Sequence, residues 1–127
     1  MAKAQKSGEL QELQRRRLPD ERKSITHRFE ISGHKGYLTV GLFSDGNPGE
    51  IFITIAKEGS ALSGLVDGWA VTVSMLLQYD VPLRVIVDKF KEWSFEPSGH
   101  TKNPEIPYAK SIFDYVARWL ELKFSKK

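Results

Sequence analysis

Cysteine is absent from all 127 residues. That excludes disulfides, thiolate metal sites and cysteine nucleophiles or radicals. Methionine is scarce, at two residues, and there are only three histidines. No apolar run approaches the roughly 18 residues of a membrane helix, and the N-terminus lacks the apolar core of a secretory signal. The expectation is therefore a cytoplasmic protein that takes no membrane as partner. No Walker-type or dinucleotide-binding glycine pattern occurs. Nor do the residues present form a nucleophile–base pair or paired carboxylates with a clear role, so no catalytic residue is assigned and the chain is read as no enzyme. Nothing in the composition calls for a cofactor.

What is there is an ordinary globular composition of single-domain length, 40% hydrophobic and 28% charged. Seven Phe, four Tyr and three Trp supply core material. The net charge is +3, and it is unevenly spread. Lys3, Lys6, Arg15, Arg16, Arg17, Arg22, Lys23 and Arg28 crowd the first thirty positions, and Lys123, Lys126 and Lys127 end the chain. A basic balance suits a phosphate-bearing partner, and it equally suits a solvated tail. Residues 1–17 are polar, with only Leu10 and Leu13 able to dock, and are expected to be a flexible basic arm before a single domain over 18–127.

Beyond Leu18-Pro19-Asp20 the pattern is of period two. Ile25, His27, Phe29 and Ile31 alternate with polar residues, as do Leu38, Val40 and Leu42, and then Ile51, Ile53 and Ile55. The segments 32–36 and 44–49 read as turns, the first as a hairpin loop. The period then changes to helical. Leu62, Leu65, Val66, Trp69, Val73, Leu76 and Leu77 form one stripe, with Ser60 as its expected N-cap. Asp80-Val81-Pro82 ends this helix, and Pro82 opens a second through about Trp93. The stretch from Glu96 to Pro104 reads as a long irregular loop. A third helix is expected from about Pro107, with Ala109, Ile112, Phe113, Val116, Leu120 and Phe124 inward. The fold class is α+β: a three-stranded antiparallel meander followed by three helices packed on one face of the sheet.

Several residues are candidates for binding. Lys57, Ser60 and Ser63 surround the expected start of the long helix, where exposed N–H groups, an ammonium and hydroxyls suit a phosphate. The alternative is a plain capped helix with a solvated lysine. His34 and His100 fall in loops and are further binding candidates. Thr101, Lys102 and Asn103 belong to the long polar loop, which is either functional or a wrapped connector. His27 lies on the apolar face of its strand and reads as a hydrogen-bonded structural histidine. Trp69, Trp93 and Trp119 read as core, and no metal site is assigned.

One run of short segments adds a family. Leu18-Pro19-Asp20-Glu21-Arg22, Gly33-His34 with Gly36-Tyr37, Thr39-Val40-Gly41-Leu42, Pro48-Gly49-Glu50-Ile51-Phe52-Ile53 and Lys57-Glu58-Gly59-Ser60 occur in that order. Leu77-Gln78-Tyr79, Val81-Pro82-Leu83, Phe95-Glu96-Pro97-Ser98-Gly99, Asn103-Pro104-Glu105-Ile106, Ala109-Lys110-Ser111-Ile112 and Asp114-Tyr115 follow. In this order they resemble the C-terminal accessory, TSCPD-type domain of adenosylcobalamin-dependent ribonucleotide reductases. Two positions that look Cys-bearing in the wider group hold Ala61 and approximately Phe95 here, so no metal role carries over. The reductase's catalytic barrel has no counterpart, and its substrate and cobalamin sites do not transfer. The resemblance implies a non-catalytic accessory or binding module. Such a module binds a nucleotide or nucleic-acid phosphate, or docks on a larger partner, and a second copy of the chain is a further candidate partner. The alternative is a stand-alone, phage-type protein that sequesters a signalling nucleotide.

Overall fold

The computed structural model describes residues 13–125. Three strands come first: β1 Ser24–Ile31, β2 His34–Leu42 and β3 Pro48–Ile55. They pair in the order β1-β2-β3, antiparallel throughout. The helices are α1 Ser60–Gln78, α2 Leu83–Phe90 and α3 Ile112–Phe124, with two short strands, β4 Gly99–His100 and β5 Tyr108–Ala109, between the last two. The α+β meander expected from the alternating pattern is present.

The register explains the core. Ile25, Val40 and Ile51 share one cross-strand row, and His27, Leu38 and Ile53 the next. Their side chains point to the same face because the strand period is two. Leu38, Val40, Ile51 and Ile53 are buried beneath the helices, while Tyr37 and Phe52 on the opposite face are about half exposed. In the row beyond, Gly36 stands opposite Phe29 and Ile55. A Cβ there would fall 2.5 Å from Phe29 Cζ and 2.8 Å from Thr54 O, so only glycine lets the ring lie over the strand.

The helices divide the sheet between them. α1 runs along β3, where Ser74 Oγ accepts from Ile51 N at 2.8 Å and donates to Ile51 O at 3.2 Å. Gln78 Nε2 donates to Gly49 O at 2.9 Å. Two side chains one turn apart thus satisfy outward backbone groups of an edge strand. α3 lies over β1, where Tyr115 packs on Phe29 with ring centroids 5.3 Å apart. Trp69 and Phe113 stack at 4.1 Å and join α1 to α3.

Several boundaries differ from the sequence reading. The hairpin after β1 turns on two residues, Ser32 and Gly33, both at positive φ (49° and 84°). That matches the type of turn that suits a twisted hairpin and extends β2 back to His34. The N-cap of α1 is Gly59, without a side-chain cap, and Ser60 is the first helical residue. α2 stops at Phe90, because Lys91 is already extended and Glu92 has φ 75°. α3 begins at Ile112, not near Pro107. Residues 108–109 are held in β5, and Ser111 caps the helix by accepting from Asp114 N at 3.0 Å. The expected irregular loop is sewn down: Ser32 N donates to His100 O at 2.7 Å and Thr101 N to Pro107 O at 3.0 Å. Leu65 is 56% exposed and Trp93 46%, so neither is core. Trp93 instead donates its indole N–H to Lys89 O at 2.9 Å on the surface.

Of the arm expected over 1–17, positions 1–12 lie outside the described residues. Arg15 and Arg16 are fastened: Arg15 Nε donates to Gln78 Oε1 at 2.6 Å, and Arg16 N to Gln78 O at 2.6 Å. The Arg16 guanidinium lies 3.8 Å over the Phe43 ring and 2.7 Å from Asp45 Oδ2. α1 reaches a mean hydropathy of 1.4 over an 18-residue window, enough for a membrane span by length and composition. Here that apolarity is accounted for in part by Val66, Trp69, Ala70, Val73 and Leu77, which are buried in the core.

Candidate functional site

The eight candidate binding residues separate into distinct places. Lys57, at φ 59°, and Ser60 are exposed at the β3–α1 connection, and Ser63 is half-buried one turn on. The Ser63 N–H is already bonded to Gly59 O at 3.1 Å. These three line none of the clefts described here. His34 opens β2 and is not in a loop. Its Nδ1 lies 2.5 Å from Glu58 Oε2, in a shallow depression shared with Ser32, Leu62 and Ser98. His100 is exposed in β4, its ring edge-on to Tyr108 at 5.4 Å. Thr101 bridges to Ile31, and its hydroxyl caps the following turn by accepting from Asn103 N at 3.0 Å. The Thr101 contacts therefore fasten this loop to β1.

Lys102 and Asn103 are the two that reach a substantial cleft. It lies between β1 and α3, closed at one side by the β4–β5 connection, with a volume of about 550 Å³. β1 contributes His27, Arg28 and Glu30. The connection contributes Lys102, Asn103 and Glu105, and α3 contributes Tyr115, Trp119 and Lys123. The alternating pattern of β1 points His27 inward, toward α3, as the sequence implies. Its ring stacks on Trp119 at 5.0 Å and on Tyr115 at 5.9 Å, and its Nε2 is 2.8 Å from Tyr115 Oη. Asn103 Nδ2 donates to the same hydroxyl at 3.1 Å.

The titration of these groups follows from their surroundings. Burial, and then the positive charge of Lys123, push the His27 imidazole below its ordinary value. Burial pushes the Tyr115 phenol up, against the opposing effect of the Asn103 hydrogen bond. Both are neutral at pH 7, so the cleft's charge comes from Arg28, Lys102 and Lys123 against Glu30 and Glu105. Its chemistry is an aromatic, hydrogen-bonding floor under a cationic rim. Among the described residues no group of three or more His, Asp or Glu side chains is placed to hold a metal. Sequence reasoning assigned Lys102 and Asn103 but missed Tyr115, Trp119 and Lys123. The signal for the first two was their position on the α3 face toward β1, which the misplaced helix start obscured.

A meander of three strands under helices, with its cleft between the first strand and the last helix, defines an α+β domain. A family model described as the TSCPD domain matches residues 9–124, and the chain belongs to this family. It is 57% identical over 110 residues to the vitamin B12-dependent ribonucleotide reductase of Rhodopirellula baltica, covering 87% of this chain and 11% of that protein. The proteins of the same name from Streptomyces avermitilis and Bradyrhizobium diazoefficiens are each 44% identical, covering 87% and 90% of this chain and 11% and 9% of their own lengths. The chain thus spans about a tenth of the length of these curated relatives. No solved structure matches it.

Proposed function

We propose that this chain is a cytoplasmic, non-catalytic accessory module of the vitamin B12-dependent reductase type, and that it binds a phosphate-bearing ligand of nucleotide size in the β1–α3 cleft. The observation that carries this reading is the cleft itself, in which Arg28, Lys102 and Lys123 surround a floor of His27, Tyr115 and Trp119. Its volume of about 550 Å³ falls within the range of about 300–1,000 Å³ usual for small-ligand sites. Cations on the rim attract phosphate, and the polar floor supplies orientation. The family membership supports an accessory role, because the relatives devote about nine-tenths of their length to other parts.

Calorimetry with a panel of nucleotides and short oligonucleotides tests it. Binding that is lost in a Lys102→Ala/Lys123→Ala double variant is the expected result. Silence at millimolar ligand and low salt overturns it. A second observation favours docking in that event: Phe52, Val71 and Met75, which line a groove between β3 and α1, are each about half exposed. A nucleotide-sequestering role would use the same β1–α3 cleft and is recognised by a ligand that survives purification in native mass spectrometry.

A further inference from the structure

The hydrogen bonds across the β1–α3 cleft run in one direction. Glu105 N donates to Asn103 Oδ1 at 2.9 Å, which fixes the amide with its Nδ2 toward α3. Nδ2 donates to Tyr115 Oη at 3.1 Å. The phenolic oxygen is thereby an acceptor on that side, which leaves its own hydrogen free to go to His27 Nε2, 2.8 Å away. A ring nitrogen that accepts carries no proton, so with the phenol donating, neutral His27 holds its proton on Nδ1. That nitrogen has no hydrogen-bond partner among the described residues. It is not buried either, since the buried side-chain polar atom without a partner among them is Trp69 Nε1. In that tautomer His27 offers the cleft an unpaired N–H donor, with the other end of its ring tied to Tyr115 and, through it, to Asn103.

We propose that His27 is the residue that binds an anionic oxygen in this cleft, donating from Nδ1–H to a phosphate group of the ligand, with Tyr115 and Asn103 as positioning residues that hold the tautomer. This rests on the phosphate reading above and adds which group makes the directional contact. The geometry is that of a donor whose second nitrogen is oriented by a hydrogen-bonded neighbour, which fixes both tautomer and ring. The charged and titratable groups that line the cleft with His27 are Lys102 and Glu105 from the β4–β5 connection, Tyr115 and Lys123 from α3, and, at the edge of β1, its strand neighbours Arg28 and Glu30. Rotatable lysines supply charge without direction. The imidazole supplies direction, and it selects an acceptor oxygen over a donor group at that point.

Nitrogen-detected NMR of the full chain at pH 7.5 tests the tautomer without any ligand. The expected spectrum has His27 protonated at Nδ1, and Tyr115→Phe, which keeps the ring and removes the hydroxyl, shifts the population toward Nε2–H. Titration with adenosine monophosphate and with inorganic phosphate then moves the Nδ1 resonance. His27→Phe lowers the affinity for adenosine monophosphate roughly tenfold or more, the loss of one hydrogen bond to a charged group. Circular dichroism establishes that each variant is folded. Should His27→Phe fail to fold, the Tyr115→Phe spectrum and its weakened phosphate titration decide the matter. An Nε2–H tautomer in the free protein, or unchanged affinity in folded His27→Phe, overturns the role of His27 while leaving the cleft as the ligand site. Absence of binding by either probe, with the Nδ1–H tautomer observed, sinks the phosphate reading and the role of His27 together.

Discussion

Asp114 carries more of the fold than any residue-level pattern announces. It is 1% exposed, yet it accepts from Glu92 N at 2.8 Å, Lys110 N at 2.9 Å and Arg118 Nε at 2.8 Å. Burial alone pushes its carboxyl up, but the two backbone donors and the Arg118 guanidinium outweigh that and hold it below the ordinary range. Asp114→Ala leaves those donors unpaired, and chemical denaturation should register a loss of about 3 kcal/mol or more. Because the folded-state value is depressed, Asp114's contribution is complete above the ordinary aspartate value of about 3.9 and is lost as pH falls from there through the lower folded-state value. His27 acts higher on the pH scale. Its depressed value means that the unfolded chain takes up the proton first, so stability falls as pH drops below about 6.5. Melting curves between pH 7.5 and 5.5 should show a slope that His27→Gln flattens, and an unchanged slope would place the titration elsewhere. The place of His27 on the apolar face of β1 was legible in sequence, and the weight of Asp114 was not. A carboxylate in the first turn of a helix reads as an exposed capping charge, and only the placement of Lys110 and Glu92 over it reveals the burial.

At the scale of elements, strand phase was the most legible feature, because one face of each strand must be apolar and the period is fixed. Helix starts were the least. Ser60 was expected to cap α1, but the chain turns one residue earlier at Gly59. Ser111, with Asp114 three residues on, carries the sequence signature of a helix start, and it was overlooked in favour of Pro107. These differences make a paired test. Ser60→Ala should change stability by less than about 0.5 kcal/mol, as expected of an exposed position without a capping bond. Ser74→Ala should cost about 1–3 kcal/mol, because it strips both Ile51 N and Ile51 O of their partner at the edge of β3. Equal effects in urea titrations would mean that the serine bond to β3 is not maintained in solution. The stripe on α1 was read correctly through Val66, Trp69, Val73 and Leu77 and wrongly at Leu65, which the sheet does not reach. Trp69 packs against Phe90 and Phe113 as well as lying in that stripe.

At the scale of the whole molecule, the unequal distribution of charge meets the fold in two places. Arg15 and Arg16 bind back to Gln78 and Asp45, so this part of the basic segment is engaged with its own domain. Lys102 and Lys123 meet across the β1–α3 cleft, although 21 positions separate them in sequence. Alternating hydrophobicity could not bring them together, since their approach depends on where the β4–β5 connection folds back onto β1. Lys57, the cation that sequence reasoning placed at a phosphate site, lines none of the clefts described above. The two locations make opposite predictions. With adenosine monophosphate as probe, Lys102→Ala and Lys123→Ala should each weaken binding several-fold, and Lys57→Ala should leave it unchanged. Affinity should also fall as ionic strength rises from about 0.05 to 0.5 M, because the screening length shrinks from well above 8 Å to a few ångströms and anions compete for the rim. The residual salt dependence should be shallower in the two cleft variants than in wild type, as each has lost one cation near the ligand. If Lys57→Ala is instead the substitution that weakens binding and flattens the salt dependence, the ligand sits at the start of α1 and the β1–α3 cleft is not its site.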